Sequence, residues 1–359
     1  MKCLFDLGRD VPLAKEELFS KLDSWNVNYA VIEEFGEVVI LDCETDFKKL
    51  QNHLGGTVRI VELKSFDELF VDEKEKWGFT SYGLNRTEHA KKLTELKNLL
   101  GSKYFKHPSK GGKRVLKLSP MDLVKRIKKE FVFAQGFWGE TITFFNPFSH
   151  ITRDIARPRD KETKSISIRL AKILVNLSFV KKGEVLLDPF CGVGTVLQEA
   201  LLQGVNVVGV DNSKIMFDNA RRNLRWIKKK FGLNTSFNVI HGDSQGLQKL
   251  VEDKVNVVVS EPYLGPLITR TRLSLRETLE RVHGLQIFYD TLFKGVDRVL
   301  LKNGFFVFVL PRFRVGKKIV DIDVKKLVKG KGLKETGFVY EYSKRESRLL
   351  RVIRVFRKI

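Results

Sequence analysis

From Glu184 onward, short and strongly apolar runs alternate with segments of helical periodicity. Five such runs are present: Val185–Leu187, Asn206–Val210, Ser236–Ile240, Val255–Val259 and Phe305–Leu310. Runs this apolar are typical of strands buried on both faces, and helices between them imply right-handed crossovers. Phe338–Tyr342 and Leu349–Phe356 are joined by a connection too short for a crossover helix, so they predict an antiparallel hairpin. Residues 184–359 therefore predict an α/β domain with a doubly wound parallel sheet that ends in a hairpin.

The first 63 residues predict a small α+β module. Their pattern is strand, helix, strand, strand, helix, strand, which is the split βαβ order of a ferredoxin-like module. Gly55 and Gly56 end the second helix, and Thr57–Leu63 alternates as a half-buried strand does.

Residues 77–150 predict a second α+β module. Gly78–Tyr82 has the pattern of a strand and Thr87–Gly101 that of a helix. Pro120–Phe131 predicts a basic helix, because Ser119 is a suitable N-cap and proline is favoured at the first helical position.

Prolines and charged residues between positions 144 and 164 indicate a linker between the two halves. We therefore expect a domain boundary near residue 150. Residues 151–183 are assigned to this linker and to a helix that leads into the α/β domain.

The chain is strongly basic, with 65 Lys and Arg against 43 Asp and Glu and a net charge of +22. Ten basic and two acidic residues lie between Lys103 and Glu130, which favours a nucleic-acid partner over an ordinary solvated surface. The expected RNA-binding residues are Lys103, Lys110, Lys113, Arg114, Lys117, Lys125, Arg126, Lys128, Lys129 and Arg157.

The three cysteines, Cys3, Cys43 and Cys191, are scattered and form no CxxC pair, so we expect neither a disulfide framework nor a metal site. No stretch approaches the roughly 20 apolar residues of a membrane helix. The first residues also lack the apolar run of a signal peptide. A cytoplasmic protein with no membrane association is expected.

The first apolar run leads through a glycine-containing loop into a helix. Gly192 and Gly194 follow the carboxyl end of that strand, where open α/β sheets bind ligands. Neither GxGxxG nor a GK[ST] ending is present, which argues against a pyrophosphate ligand.

Acidic residues follow three successive strands. Asp188 would face a cationic, amine-bearing end of the ligand, Asp211 the hydroxyls of an adenosine ribose, and Asp243 an adenine amino group. The spacing to Asp211 alone would also fit NAD. The expected cofactor-binding residues are Asp188, Pro189, Phe190, Gly192, Gly194, Thr195, Asp211, Asn212, Asp243 and Ser244.

After the fourth strand comes the sequence Ser-Glu-Pro-Tyr. Methyl transfer to an exocyclic amine needs acceptors that turn the nitrogen lone pair out of conjugation, and an aromatic face that clamps the ring. A serine hydroxyl, a carbonyl fixed by proline and a tyrosine ring are suited to these tasks. The expected catalytic residues are Ser260, Glu261, Pro262 and Tyr263.

With the glycine loop, Val210-Asp211 and Ser260–Tyr263, the second half resembles class I, Rossmann-like amino-methyltransferases, and within them the tRNA guanine-N2 methyltransferases. Similar pieces of that family's ferredoxin-like and THUMP regions appear at Leu4–Gly8, Leu54–Val58 and Trp77–Gly83. The resemblance implies S-adenosyl-L-methionine as cofactor, tRNA as partner and guanine N2 as target. A small activating protein subunit is left open.

The family's usual motif is Asp-Pro-Pro-Tyr, so Ser260 replaces the aspartate and Glu261 a proline. Glu261 could accept from the N1 and N2 hydrogens of guanine, or it could pair with Arg270 or Arg272. Two rival functions follow. A DNA amino-methyltransferase for adenine N6 or cytosine N4 would use the same motif, and the altered motif also suits a non-catalytic tRNA-binding protein with a relict fold.

Overall fold

The computed structural model describes residues 1–72, 74–107, 109–110, 113–156, 158, 165–265, 274–342 and 347–359. Of residues 109–110, 113–114, 152 and 154–156 it describes only the backbone. The chain divides into an N-terminal unit, Met1–Ile155, and a C-terminal unit, Ala156–Ile359. Each unit is described by itself.

The N-terminal unit begins with the predicted ferredoxin-like arrangement. Its elements are β1 (Lys2–Asp6), α1 (Val11–Ser24), β2 (Tyr29–Phe35), β3 (Val38–Cys43), α2 (Phe47–His53) and β4 (Arg59–Lys64). The strands pair antiparallel in the order β2-β3-β1-β4. Phe5 and Leu41 pack with α1 residues such as Leu18, all fully buried, so the helices cover one face of this sheet.

The unit continues, after a 3-10 turn at Phe66–Glu68, with a second set of elements. These are β5 (Trp77–Tyr82), α3 (Arg86–Leu100), β6 (Ser109–Lys110), β7 (Lys113–Arg114), α4 (Pro120–Lys125), β8 (Lys129–Ala134), β9 (Phe137–Phe144) and α5 (Pro147–Ala156). Because β9 pairs with β4, the two predicted modules share one seven-stranded sheet of order β2-β3-β1-β4-β9-β8-β5.

Two sequence-based assignments in this unit are wrong. The basic helix predicted over Pro120–Phe131 ends at Lys125, and a strand begins at Lys129. That strand pairs with β5 on one side and β9 on the other and buries Phe131, so sheet burial outweighs its helical pattern. The predicted linker begins with helix α5, which Pro147 opens at the position where proline is tolerated.

A buried ionic network ties the two sets of elements together. Arg59 on β4 is 2% exposed and pairs with Asp6 on β1 at 3.2 Å and with Glu130 on β8. The Tyr82 hydroxyl donates to Asp6 at 2.6 Å, and Thr141 on β9 donates to Glu130 at 2.6 Å. Burial alone would lower the pKa of Arg59, but the charges of Glu130 and Asp6 raise it above its usual range.

The C-terminal unit has the predicted doubly wound sheet. Its elements are α6 (Ile168–Asn176), β10 (Val185–Asp188), α7 (Thr195–Leu202), β11 (Asn206–Asp211), α8 (Lys214–Phe231), β12 (Phe237–His241), α9 (Leu247–Leu250), β13 (Val255–Ser260), α10 (Leu275–Val299), β14 (Leu300–Val315), β15 (Lys318–Asp321), α11 (Val324–Val328), β16 (Leu333–Tyr342) and β17 (Leu349–Lys358).

The strand order is β12-β11-β10-β13-β14-β17-β16, with β15 paired to the far end of β14. The first five strands are parallel, and β17 lies antiparallel between β14 and β16. Both the parallel sheet and the terminal hairpin are therefore confirmed. Among the described residues, no helix combines the length and apolar character needed to cross a membrane.

Candidate active site

The site begins where β10 ends. β10 lies between β11 and β13 with Leu186 and Leu187 fully buried, and the chain then turns through Gly192 and Gly194 into α7. Both glycines have positive φ angles, 53° and 83°. A Cβ on Gly192 would meet nothing within 4 Å, so this turn leaves open space beside its backbone.

Asp188, at the end of β10, is 2% exposed and accepts hydrogen bonds from the Ser260 hydroxyl at 2.6 Å and the Phe190 amide at 3.1 Å. Among the described residues no cationic side chain pairs with it. Burial raises the pKa of Asp188 to about 7, although both hydrogen bonds oppose this shift. Asp188 is therefore a buried carboxyl group with a pKa near 7 and no counter-ion among the described residues.

Asp211 braces the glycine turn, because its carboxylate accepts from the Gly192 amide at 2.9 Å and from the Ser213 amide at 2.9 Å. Each carboxylate oxygen has a second lone pair, so hydroxyl donors can still bind. Asn212 next to it is exposed.

Asp243 is exposed at the end of β12 and accepts from the Gln245 amide at 2.9 Å. Its neighbour Ser244 is buried and donates to the Pro189 carbonyl, which fixes this strand end to the loop after β10. The predicted acids thus lie at the carboxyl ends of three adjacent parallel strands.

A cavity of about 370 Å³ opens between the glycine turn and the chain after β13, within the usual size range of ligand pockets. Its wall contains seven of the cofactor-binding and catalytic residues expected from the sequence, namely Asp188, Phe190, Gly192, Thr195, Glu261, Pro262 and Tyr263. Asp211, Asn212, Asp243 and Ser244 lie outside this wall, along the strand ends. The residues that the sequence did not single out include Ser165, Met216 and Arg351.

The Ser-Glu-Pro-Tyr segment places its side chains in different surroundings. Ser260 is fully buried, and its hydroxyl donates to Asp188, so it does not form part of the cavity wall. Tyr263 is 54% exposed at the wall. Its backbone carbonyl accepts a 2.6 Å hydrogen bond from the hydroxyl of Tyr289, a buried residue of α10.

Glu261 also lines the cavity and pairs with Arg351 of β17. Of the partners expected from the sequence, Arg270 and Arg272 lie outside the described residues. Arg351 is 90 positions away in sequence and comes from the terminal hairpin. No local motif marks it, and only the placement of β17 beside β14 brings it to the site.

The expected RNA-binding residues differ in accessibility. Lys103, Lys125, Arg126 and Lys128 are exposed. Lys117 pairs with Glu37, and burial lowers its pKa. Lys129 lies on β8 with its ammonium 3.7 Å from the centre of the Phe70 ring.

Four of these basic residues carry no side-chain description. Lys110, Lys113 and Arg114 are described by their backbone alone, in the β6–β7 pair, and Arg157 lies outside the described residues.

The strand order, the glycine turn and the acids at the strand ends together define a class I methyltransferase fold. Residues 156–322, which lie in the C-terminal unit, match the family described as the RMKL-like methyltransferase domain. A family described as DNA methylase matches residues 72–222. As a class, such methyltransferases use S-adenosylmethionine.

Several relatives are similar in sequence, including the following two. The chain is 44% identical over 101 residues to a tRNA (guanine(10)-N2)-dimethyltransferase of Methanothermobacter thermautotrophicus, covering 28% of each chain. It is 29% identical over 184 residues to a protein of Methanothermococcus thermolithotrophicus named "Probable tRNA (guanine(10)-N2)-dimethyltransferase", covering 50% of this chain and all of that one. The match to the first of these relatives spans about a quarter of that relative's length. The predicted resemblance to tRNA guanine-N2 methyltransferases is confirmed.

The crystal structure of TrmN from Thermus thermophilus is similar over the whole of both chains, with a TM-score of 0.56 and 14% identity. At that identity the similarity concerns the fold. It extends over the N-terminal and the C-terminal units.

Proposed function

We propose that the chain transfers a methyl group from S-adenosylmethionine to the exocyclic N2 nitrogen of guanine in tRNA. The observation that carries the proposal is a cavity whose wall contains both Gly192 of the glycine turn and the Glu261–Tyr263 segment. A cofactor site and an amine-binding motif therefore meet at one place. The names of the two relatives support tRNA guanine as the target.

The residues around Gly192 fit the cofactor, because the open space beside that glycine is room that any Cβ would reduce. When bound, S-adenosylmethionine supplies an electrophilic methyl group on a positively charged sulfur. Asp188 would hold the cofactor's ammonium group. Asp211 would accept from its ribose hydroxyls and Asp243 from its adenine amino group.

The segment after β13 would hold the base. The exposed Tyr263 ring offers a face for stacking, and the Tyr289 hydroxyl fixes the backbone that carries it. Acceptors at Glu261 and at the Pro262 carbonyl would bind the amino hydrogens and turn the nitrogen lone pair out of conjugation. The amine nitrogen would gain the methyl group as the bond between that methyl and the sulfur breaks, which leaves a neutral thioether. The nitrogen would then lose one proton to water or a nearby acceptor.

The N-terminal unit would position the tRNA. Its exposed cations Lys103, Lys125, Arg126 and Lys128 can contact phosphates, which bind without reading sequence. The target base would then be recognised outside the stack, in the cavity of the C-terminal unit.

The test is methyl transfer from labelled S-adenosylmethionine to unmodified tRNA and to duplex DNA, followed by nucleoside analysis. We expect labelled N2-methylguanosine from tRNA alone. Asp188→Ala should abolish transfer, whereas Asp253→Ala, which removes an exposed acid outside the cavity, should leave it unchanged. A product in DNA alone would overturn the substrate assignment.

The DNA amino-methyltransferase is the second candidate because of the DNA methylase match. That match contains Gly192 and Gly194 but ends at residue 222, before Ser260, so it concerns the cofactor half of the site. A third possibility is a non-catalytic tRNA-binding protein with a relict methyltransferase fold. Such a protein would show no cofactor binding in calorimetry, so measurable binding would exclude it.

A further inference from the structure

The Glu261–Arg351 pair lies in the wall of the cavity at which the target base would bind. The Glu261 side chain is 16% exposed and the Arg351 side chain 42%. The ion pair uses Nε of Arg351 and Oε1 of Glu261. Within the described part of the chain, the two Nη groups of Arg351 make no hydrogen bond. The wall therefore presents a carboxylate beside a guanidinium with donors to spare.

Ser260 cannot take the place of this carboxylate. Its hydroxyl is fully buried and donates to Asp188, away from the cavity wall. The acidic acceptor that the family motif carries at its first position is thus found one position later, at Glu261. Arg351, which comes from the terminal strand β17, pairs with that carboxylate at the wall.

We infer that Glu261 and Arg351 together read the Watson–Crick edge of guanine. The carboxylate accepts from the N1 and N2 hydrogens, and an Nη group of Arg351 donates to the O6 carbonyl. This edge presents two adjacent donors and one acceptor, which is the complement of the pair. The inference rests on the proposed function and adds its base specificity.

The same pair disfavours the other amino-bearing bases. Adenine has an unprotonated N1 beside its N6 amine, and cytosine has an unprotonated N3 beside its N4 amine. Either ring nitrogen would place a lone pair against the Glu261 carboxylate, which leaves a polar group without a donor and repels the base. A site with this pair should therefore reject both targets of the DNA amino-methyltransferases.

The test compares full-length wild type with Arg351→Gln, Arg351→Lys and Glu261→Gln on unmodified tRNA transcripts. Arg354→Gln is the matched control, since Arg354 lies on the same strand, pairs with Glu335 and is not in the cavity wall. We expect Arg351→Gln to lower kcat/KM for tRNA by about 10- to 100-fold, because a charged hydrogen bond to the base is lost. Affinity for S-adenosylmethionine, measured by calorimetry, should not change.

Glu261→Gln should lose at least as much activity, because its amide places a donor against the guanine hydrogens. Arg351→Lys should recover part of the rate, since one charged donor is restored.

A substrate analogue tests the O6 contact directly. In transcripts made with 6-thioguanosine the weak sulfur acceptor should slow wild type and Arg354→Gln alike, but it should add little to the loss in Arg351→Gln. Equal effects of the sulfur in all three proteins would overturn the inference.

The remaining outcomes separate the two proposals. Full activity of Arg351→Gln on tRNA guanine would overturn the base-reading role and leave the proposed function intact. A wild-type product at adenine N6 or cytosine N4 in place of guanine N2 would overturn both the base-reading role and the proposed guanine target. No transfer by wild type to any nucleic acid would overturn the proposed function, and the inference with it.

Discussion

The two units bury carboxyl groups in opposite ways. In the N-terminal unit, Asp6 and Glu130 lie against the guanidinium of Arg59, so the buried charges are compensated. In the C-terminal unit, Asp188 is as deeply buried, but among the described residues it receives hydrogen bonds from Ser260 and Phe190 and pairs with no cation. The first arrangement joins strands of one sheet, whereas the second leaves a carboxyl whose charge needs a partner from outside.

The presence or absence of a counter-ion distinguishes buried acids that stabilise the fold from a buried acid that binds a ligand. A compensated network keeps its groups charged and ordered, and its removal should damage folding. An uncompensated acid in a cavity wall opposes folding at neutral pH and is stabilised when a cation binds. The cationic end of the proposed cofactor would supply that charge to Asp188.

The largest effect is expected from Arg59→Met, which leaves Asp6 and Glu130 buried without their counter-ion. Stability of the N-terminal unit should fall by about 3 to 5 kcal/mol. Urea unfolding followed by the fluorescence of the buried Trp77 and Trp138 would measure this. Arg312→Met breaks more exposed pairs with Asp321 and Glu341 in the C-terminal unit and should cost about 1 kcal/mol or less, measured by the fluorescence of Trp226. Equal losses would contradict the comparison.

The next largest effect is a gain in stability. Since the pKa of Asp188 is raised from 3.8 to about 7, the folded state binds more protons than the unfolded state between these values, and stability falls as pH rises through that range. Asp188→Asn keeps both acceptor contacts without the charge. It should stabilise the C-terminal unit by roughly 2 to 4 kcal/mol at pH 8, with no gain near pH 4.

Trp226 lies in the C-terminal unit and reports its unfolding. The same variant should bind S-adenosylmethionine more weakly, because the ammonium group loses its counter-ion. If Asp188→Asn were more stable but bound the cofactor with unchanged affinity, Asp188 would not belong to the binding site. If Asp188→Asn were less stable than wild type, the charge of Asp188 would be compensated in the folded protein.

The wild-type protein should show the same group as a pH dependence of cofactor binding. Below the pKa of about 7 the Asp188 carboxyl is protonated and no longer attracts the ammonium group. Affinity should fall by about five- to tenfold from pH 7.5 to pH 6. Calorimetry on wild type and Asp188→Asn would test this, because the variant should lack the dependence. A parallel decline in both would assign the effect to another group.

The smallest effect is expected from Tyr289→Phe, compared with Tyr82→Phe in the other unit. Tyr289 donates to a neutral carbonyl at 2.6 Å and Tyr82 to the Asp6 carboxylate at 2.6 Å. The first variant should lose about 1 kcal/mol and the second about 2 kcal/mol, since bonds to charged acceptors are stronger. Denaturation would measure both losses.

Only Tyr289→Phe should also lower kcat, because the hydroxyl it loses fixes the backbone of Tyr263. A fall in kcat for Tyr82→Phe alone would reverse the assignment of structure and function to the two units.

The sequence by itself determined the elements whose signal is local. Apolar runs identified the parallel strands, the glycines identified the turn after β10, and the short connection identified the terminal hairpin. Hydrophobic periodicity and glycine conformation depend on residues within a few positions of one another. The sequence pattern does not predict the strand Lys129–Ala134, because pairing with β5 and β9 decides its conformation. β5 lies about fifty positions earlier in the chain, and β9 follows the strand.

The tertiary structure alone decided which charges meet. Arg59 contacts Glu130 71 positions away, and Glu261 contacts Arg351 90 positions away. It also turned the Ser260 hydroxyl toward Asp188 and left Glu261 as the acceptor in the cavity wall. Strand order sets such meetings, and no pattern within either segment encodes its partner, because pairing energy arises only once burial has removed both groups from water.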